Sequence, residues 1–140
     1  MKLINMRKSI ITLFAVLLTA TTFAQIVSLT PSNAGSDDAV TVTFDATVGN
    51  AELVGASKVY MHHGVVTASE TGTEWEYVIG NWGADDGLGE MSKVAGESDK
   101  WELNINPSIR EYFNVPDGTN IFRISCVFRS ADGSVKGTIA

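Results

Sequence analysis

The chain has 140 residues, of which 44% are hydrophobic, ten are basic and 16 are acidic. This length suits one domain with a single core. The negative net charge argues against nucleic acid or an anionic membrane surface as a partner, because like charges would repel each other. Cys126 is the only cysteine, so it has no partner for an internal disulfide, and its strand pattern predicts a small buried hydrophobic side chain.

Residues 1–24 have the features of a Sec-type signal peptide. Basic residues come first, an apolar run follows from Ile10 to Leu18, and small residues precede Gln25. The apolar run is shorter than the roughly 20 residues that cross a bilayer. We therefore expect cleavage between Ala24 and Gln25, no membrane span afterwards, and a protein that is secreted, periplasmic or located at the cell surface.

Short strands separated by turns are predicted along the rest of the chain. From Ala39 to Thr47 apolar and polar residues alternate, as in a half-buried strand. Asn106 is the predicted cap of one short helix over 107–113, and Asp132-Gly133 predicts a type I′ hairpin turn. The predicted strands cover residues 26–30, 39–47, 58–67, 75–79, 90–94, 100–106, 119–129 and 135–139.

Seven to eight short strands with turn residues between them indicate an all-β fold, an antiparallel β-sandwich of immunoglobulin-like type. We predict a single module over residues 25–140. The module is either the whole mature protein or the N-terminal part of a longer one.

The stretch Trp75–Met91 interrupts the strand pattern with two tryptophans, four glycines and the acidic pair Asp85-Asp86. Long loops that hold aromatic rings on a rigid sheet are typical of binding surfaces. The C–H face of a sugar ring stacks on an aromatic ring while its hydroxyls bond to short polar side chains, so this neighbourhood suits a carbohydrate. The alternative for each ring is a place in the core, which we expect for Trp101. The candidate carbohydrate-binding residues are Trp82, Trp75, Tyr60, His62, Asp85 and Asp86.

Metal and catalytic sites are weaker predictions. Neighbouring strand residues such as His62 and His63 point to opposite faces and do not readily chelate one ion. A structural calcium would use the oxygen ligands of the loop, although their spacing does not fit an EF-hand and the alternative is a solvated turn. The calcium candidates are Asn81, Asp85, Asp86 and Glu90. No other cofactor is predicted, and the absence of nucleophile, phosphate-binding and metalloprotease motifs predicts that the module is not an enzyme.

Three motifs carry a resemblance to a known class of module. They are Tyr-x-His-x-Gly from Tyr60, Asn-Trp-Gly-x-Asp-Asp-Gly from Asn81, and Val-Phe-Arg-x-Ala-Asp-Gly from Val127. Between about Ala51 and Gly137 the chain resembles β-sandwich modules at the front of secreted α-amylase-family and other polysaccharide-degrading proteins, and more distantly starch-binding modules. The resemblance implies noncatalytic binding of starch or another α-glucan beside a C-terminal catalytic domain. Its implied contacts are Tyr60, His62, Trp75 and Trp82.

The prediction is thus a secreted carbohydrate-binding module whose partner is a polysaccharide. The alternative is a structural spacer or docking domain of a secreted multidomain protein, with no sugar ligand of its own. Solvent-facing rings in one plane would favour the first hypothesis, and buried rings the second.

Overall fold

A computed structural model describes residues 25–138, so the predicted signal peptide lies outside the described residues. The elements are β1 (Val27–Thr30), β2 (Val40–Asp45), β3 (Tyr60–Val66), β4 (Glu76–Ile79), β5 (Ser92–Lys93), β6 (Lys100–Ile105), α1 (Ile109–Tyr112), β7 (Arg123–Arg129) and β8 (Lys136–Gly137). Each of the eight predicted strands contains one observed strand, and the all-β prediction is confirmed.

The strands form two antiparallel sheets, with the orders β1-β2-β6-β5 and β4-β3-β7-β8. β2 lies between β1 and β6, with Val40 opposite Ile105, while β3 pairs with β7 along its whole length, with Tyr60 opposite Arg129. This distribution of strands is that of an immunoglobulin-like sandwich with one additional strand beside β3.

The core lies between the two sheets and follows from the alternation of the strands. In β2, Val42 and Phe44 are each 1% exposed, whereas the residues that alternate with them are only partly buried. Phe44 stacks on Phe128 of the opposite sheet, with ring centroids 4.1 Å apart. Trp101 is 3% exposed, which confirms its predicted place in the core. Facing apolar rows of this kind hold the sheets together.

The helix is shorter than predicted and has a different cap. It begins after Ser108, whose hydroxyl accepts a hydrogen bond from the N–H of Glu111. The predicted cap, Asn106, is wrong because the side chain that reaches a free N–H of the first turn belongs to Ser108. Within residues 25–138 no helix is both long and apolar enough to cross a membrane.

The hairpin between β7 and β8 is also not the predicted type I′ turn. Gly133 has a φ of 71°, but Asp132 does not have positive φ, and type I′ requires it at both central residues. The Asp132 carboxylate accepts hydrogen bonds from the hydroxyls of Ser130 and Ser134 instead, which shapes a longer loop.

An apolar groove opens between β1 and β7 at one side of the sandwich. It has a volume of about 390 Å³, and Leu29 and Phe122 at its rim are 40% and 37% exposed. Cys126 lines the groove and is partly buried, so it is less enclosed than predicted, and burial raises the pKa of its thiol to about 11. This groove is separate from the aromatic residues of the loop between β4 and β5.

Candidate functional site

The site is built on the outer face of the sheet that contains β3. Alternation in β3 sends Met61 and His63 into the core and leaves His62 on the outer face, where it is half-buried. The prediction that the two histidines point apart is therefore confirmed. His63 donates from Nδ1 to the carbonyl of Met61 (2.6 Å), and its Nε2 lies 3.0 Å from the Tyr112 hydroxyl, so it has a structural role.

Three rings gather on this outer face, and we call them the aromatic surface: Trp75, His62 and Trp82. The His62 ring lies between the indoles, 6.3 Å from Trp75 with an interplanar angle of 35° and 5.6 Å from Trp82 with an angle of 87°. The two indoles are therefore far from coplanar, so the expectation of solvent-facing rings in one plane is wrong. Trp82 is 47% exposed and Trp75 is half-buried.

Gly64 makes room for this surface. A β-carbon at Gly64 would lie 2.9 Å from the carbonyl oxygen of Glu76 and 3.4 Å from Cβ of Trp75. Any larger residue would push β4, and Trp75 directly before it, away from β3. The glycine of the Tyr-x-His-x-Gly motif thus allows Trp75 to lie close to the sheet beside His62.

Arg129 anchors the loop that carries Trp82. It is 0% exposed, and its guanidinium donates to four backbone carbonyls at 2.8–3.0 Å. Two of these carbonyls, those of Asn81 and Ala84, lie on either side of Trp82 in the loop. The guanidinium also lies 4.6 Å from the Tyr60 ring centroid, a distance typical of a cation–π contact. Because the charge is enclosed and multiply bonded, the loop is fixed on the sheet.

A second anchor fixes the far end of the same loop. The N–H of Met61 donates to the carbonyl of Gly89 (2.8 Å), and the N–H of Met91 donates to the carbonyl of Val59 (2.9 Å). Gly89 has a φ of 79°, and a β-carbon there would lie 2.3 Å from the carbonyl oxygen of Met61. Only glycine permits so close an approach with this backbone conformation.

Tyr60, a predicted sugar contact, lies beneath the loop. Its ring is 0% exposed, so it offers no face for stacking. Its hydroxyl donates its single proton to Asp85 and lies 3.0 Å from Glu90, an alternative acceptor, and these contacts, chiefly the one with Asp85, raise the pKa of Tyr60. Lys58 donates to Asp85 at 2.8 Å, and this hydrogen bond, followed by that from Tyr60, lowers the pKa of the Asp85 carboxyl. Tyr60 therefore supports the loop from below.

The calcium candidates are engaged with one another and with Lys58 and Tyr60. The Asn81 amide donates to Asp86 at 2.8 Å, and this bond, followed by that from the N–H of Leu88, lowers the pKa of Asp86. Among the residues that the structure describes, no group of three or more His, Cys, Asp or Glu side chains is placed to hold a metal. Calcium binding in this loop stays a prediction, and it would require Asn81, Asp85 and Glu90 to exchange their present partners.

His62 is neutral at neutral pH. Burial, followed by the positive charge of Arg129, lowers its pKa below the ordinary value. Its Nδ1 is buried and makes no hydrogen bond within the described part of the chain. A neutral imidazole between two indoles adds apolar area to the aromatic surface.

The sequence predicted Trp82, Trp75, His62 and the two aspartates of this site, and the structure brings them together on one face. Arg129 and Gly89 were missed. Arg129 falls on the polar side of a predicted strand, where a solvent-exposed charge is the normal expectation. The available signal was the register of β3 with β7, which places Arg129 opposite Tyr60 and under the loop.

Fold and site together define a small all-β sandwich that presents aromatic side chains on an anchored loop. Residues 27–136 match the family described as "Domain of unknown function (DUF8578)", and the chain belongs to this family. No curated protein matches the chain.

Proposed function

We propose that this protein is a noncatalytic carbohydrate-binding module for a neutral polysaccharide, with starch or another α-glucan as its ligand. The observation that carries the proposal is the state of Trp82: its indole is 47% exposed although the loop around it is firmly anchored. An exposed ring on a rigid support loses little conformational entropy when a ligand binds. Trp82 thus meets the main requirement of a sugar-stacking residue.

The polar neighbours of Trp82 complete this chemistry. Asp86 and Asn81 are exposed beside the indole, and Asp86 retains acceptor capacity beyond its bonds to Asn81 and Leu88. Sugar hydroxyls would donate to this carboxylate while the C–H face of the sugar stacks on Trp82. The combination of one apolar face and a few polar groups matches the two-sided character of a pyranose.

The angle between the indoles supports an α-glucan over a flat polymer. Trp75 and Trp82 lie at very different angles to His62 between them. A chain whose successive rings turn, as in α-1,4-glucan, can present faces to two inclined indoles, whereas a flat ribbon such as cellulose presents parallel faces. Each stacked ring would contribute about 1 kcal/mol, which gives the weak, reversible binding that keeps an enzyme near its polymer.

Affinity electrophoresis tests this function. The wild-type protein should be retarded in native gels that contain soluble starch and should migrate normally with xylan or hydroxyethyl cellulose. Trp82→Ala should lose most of the retardation, because one stacking contact of about 1 kcal/mol corresponds to roughly fivefold in Kd. Phe122→Ala is a matched control, since Phe122 is 37% exposed at the apolar groove between β1 and β7. Equal migration of the wild type in all gels would disprove the function.

One observation favours the alternative, a spacer or docking domain. The apolar groove between β1 and β7 exposes Leu29 and Phe122 and has a volume of about 390 Å³. An exposed apolar groove of this kind is a common place for another polypeptide to pack. Unretarded migration with every polysaccharide would leave this second function as the better account.

A further inference from the structure

A second groove lies directly beside Trp82, at one end of the sandwich. It has a volume of about 360 Å³ and runs between residues 52–58, which lead into β3, and residues 130–135 of the β7–β8 hairpin. This volume is at the lower end of the range, about 300–1,000 Å³, that is typical of small-molecule sites. The groove is therefore suited to one sugar unit and is too small for an oligosaccharide.

The walls of the groove contact the loop that carries Trp82. A β-carbon on Gly133 would lie 3.0 Å from Nε1 of Trp82, and one on Gly83 would lie 3.2 Å from the carbonyl oxygen of Asp132. The hairpin wall of the groove thus contacts the loop between β4 and β5 through two glycines. We call this loop, which carries Trp82, the tryptophan loop. On the other wall, Lys58 lines the groove and bonds to Asp85 of the same loop. Both walls are tied to the loop that carries Trp82.

The lining of the groove combines apolar and polar groups, as the surroundings of Trp82 do. Its apolar part includes Val54, which is 49% exposed, and Val135, which packs against the core. Its polar part includes the hydroxyl of Ser57 and the carboxylate of Asp132. Apolar walls beside a few polar groups can take a sugar ring and its hydroxyls.

Carboxylates and cations both surround the groove and Trp82. Hydrogen bonds from Ser130 and then Ser134 lower the pKa of Asp132 to about 2, so this carboxylate stays ionised and accepts hydrogen bonds at any physiological pH. Lys58 bonds to Asp85, and the charged groups of Lys136 and Arg129 lie 5.3 Å and 5.9 Å from the centre of the Trp82 ring. Because these cations offset the carboxylates, the site offers both donors and acceptors to sugar hydroxyls.

We infer that the groove between residues 52–58 and 130–135 is a second subsite, which takes the sugar unit next to the one stacked on Trp82. This inference rests on the proposed function. It assigns residues 52–58 and 130–135 a role in recognising a glycan chain, and it predicts that the preferred ligand is longer than a single sugar.

Calorimetric titration of the wild-type protein with glucose, maltose and maltohexaose tests the second subsite. Affinity should rise roughly tenfold from glucose to maltohexaose, because the longer ligand contacts the groove and Trp82 together. Ser57→Trp should fill the groove and reduce the gain with chain length, since Ser57 is exposed in its wall. Ser92→Trp is the control: Ser92 is exposed in β5 of the other sheet, so this variant should bind as the wild type does.

Failure of the inference is distinguishable from failure of the proposed function. If Trp82→Ala weakens binding but Ser57→Trp leaves the length dependence unchanged, the second subsite is wrong. If the wild type binds no glucan at all, the proposed function itself is wrong.

Discussion

At the scale of single residues, two glycines of the tryptophan loop distinguish the cost of a left-handed backbone conformation from the cost of a close contact. Gly87 and Gly89 both have positive φ, 83° and 79°, but a β-carbon at Gly87 meets nothing within 4 Å, whereas one at Gly89 lies 2.3 Å from the Met61 carbonyl oxygen. Gly87→Ala should cost about 1–2 kcal/mol from the left-handed conformation alone. Gly89→Ala should cost roughly 3 kcal/mol or more, because the loop must also move away from β3.

Urea denaturation of both variants measures the two costs. Gly89→Ala should also increase the accessibility of Trp82 to a fluorescence quencher, since the loop loses its anchor on β3. Equal destabilisation by the two substitutions would contradict the close approach of Gly89 to Met61.

His63 makes the stability of the fold depend on pH. Burial lowers its pKa from 6.5 to about 4, so the unfolded chain binds a proton in this interval that the folded chain does not. Stability is therefore fully present above pH 6.5 and is lost as the pH falls towards 4, by up to about 3 kcal/mol. His62, whose pKa is also lowered, adds to the same trend.

Urea denaturation at pH 7.5 and pH 5 measures this dependence. His63→Gln should be less stable than the wild type at pH 7.5 but should show a smaller loss between the two pH values. A variant with the same pH dependence as the wild type would show that His63 is not the group responsible.

At the scale of elements, β7 has one paired and one free edge within the described residues. β8 pairs only with Phe128 and Arg129. The N–H of Ser130 donates to Val135, so the alternation of an antiparallel strand directs the N–H groups of Ile124 and Cys126 to the same, here unpaired, side. The N–H groups of the residues between them point towards β3.

Hydrogen exchange should reveal this alternation. The amides of Ile124 and Cys126 should exchange at least about tenfold faster than those of Ser125 and Val127, which are paired with β3. Nuclear magnetic resonance resolves these four amides one by one. Uniform protection along β7 would mean that another segment covers the free edge.

The elements were largely predictable from sequence because strand alternation and turn residues are local signals. β2 illustrates this, since its alternating pattern specifies both its position and its buried face. Boundaries were less predictable where tertiary contacts decide them. Residues 119–122 were predicted as strand, but β7 begins at Arg123, because the N–H of Phe122 bonds to Val66 out of the register of the following residues. Tyr77, within β4, has a φ of 53°, which no alternation pattern predicts, and the register of β3 with β4 is irregular between His63 and Val65.

The exposed residues of the candidate site were predictable from sequence, but the buried residues that hold its loop in place were not. The composition of the loop identified Trp82 as a ring beside polar groups. The burial of Tyr60 and Arg129 depends on the loop folding back over the sheet, and this is a long-range contact between residues 48 positions apart in the chain, Asn81 and Arg129. A single sequence shows such a contact only once the register of the strands is known.

At the scale of the whole molecule, the two halves of the structure have different tasks. The sandwich buries one core between its sheets, the outer face of the sheet that contains β3 carries the aromatic surface, and the loops at one end form the groove. The acidic balance of the chain, ten basic against 16 acidic residues, is compatible with neutral glycans and unfavourable for anionic polymers.

The most direct test of the central claim is the indole N–H spectrum during titration with maltohexaose. The chain has three tryptophans, Trp75, Trp82 and Trp101, and therefore three indole N–H resonances. Because Trp82 is 47% exposed and Trp101 is 3% exposed, the account predicts that the Trp82 resonance shifts most, that of Trp75 shifts less, and that of Trp101 stays in place as an internal control. A spectrum in which the Trp82 resonance does not move at high sugar concentration would contradict it.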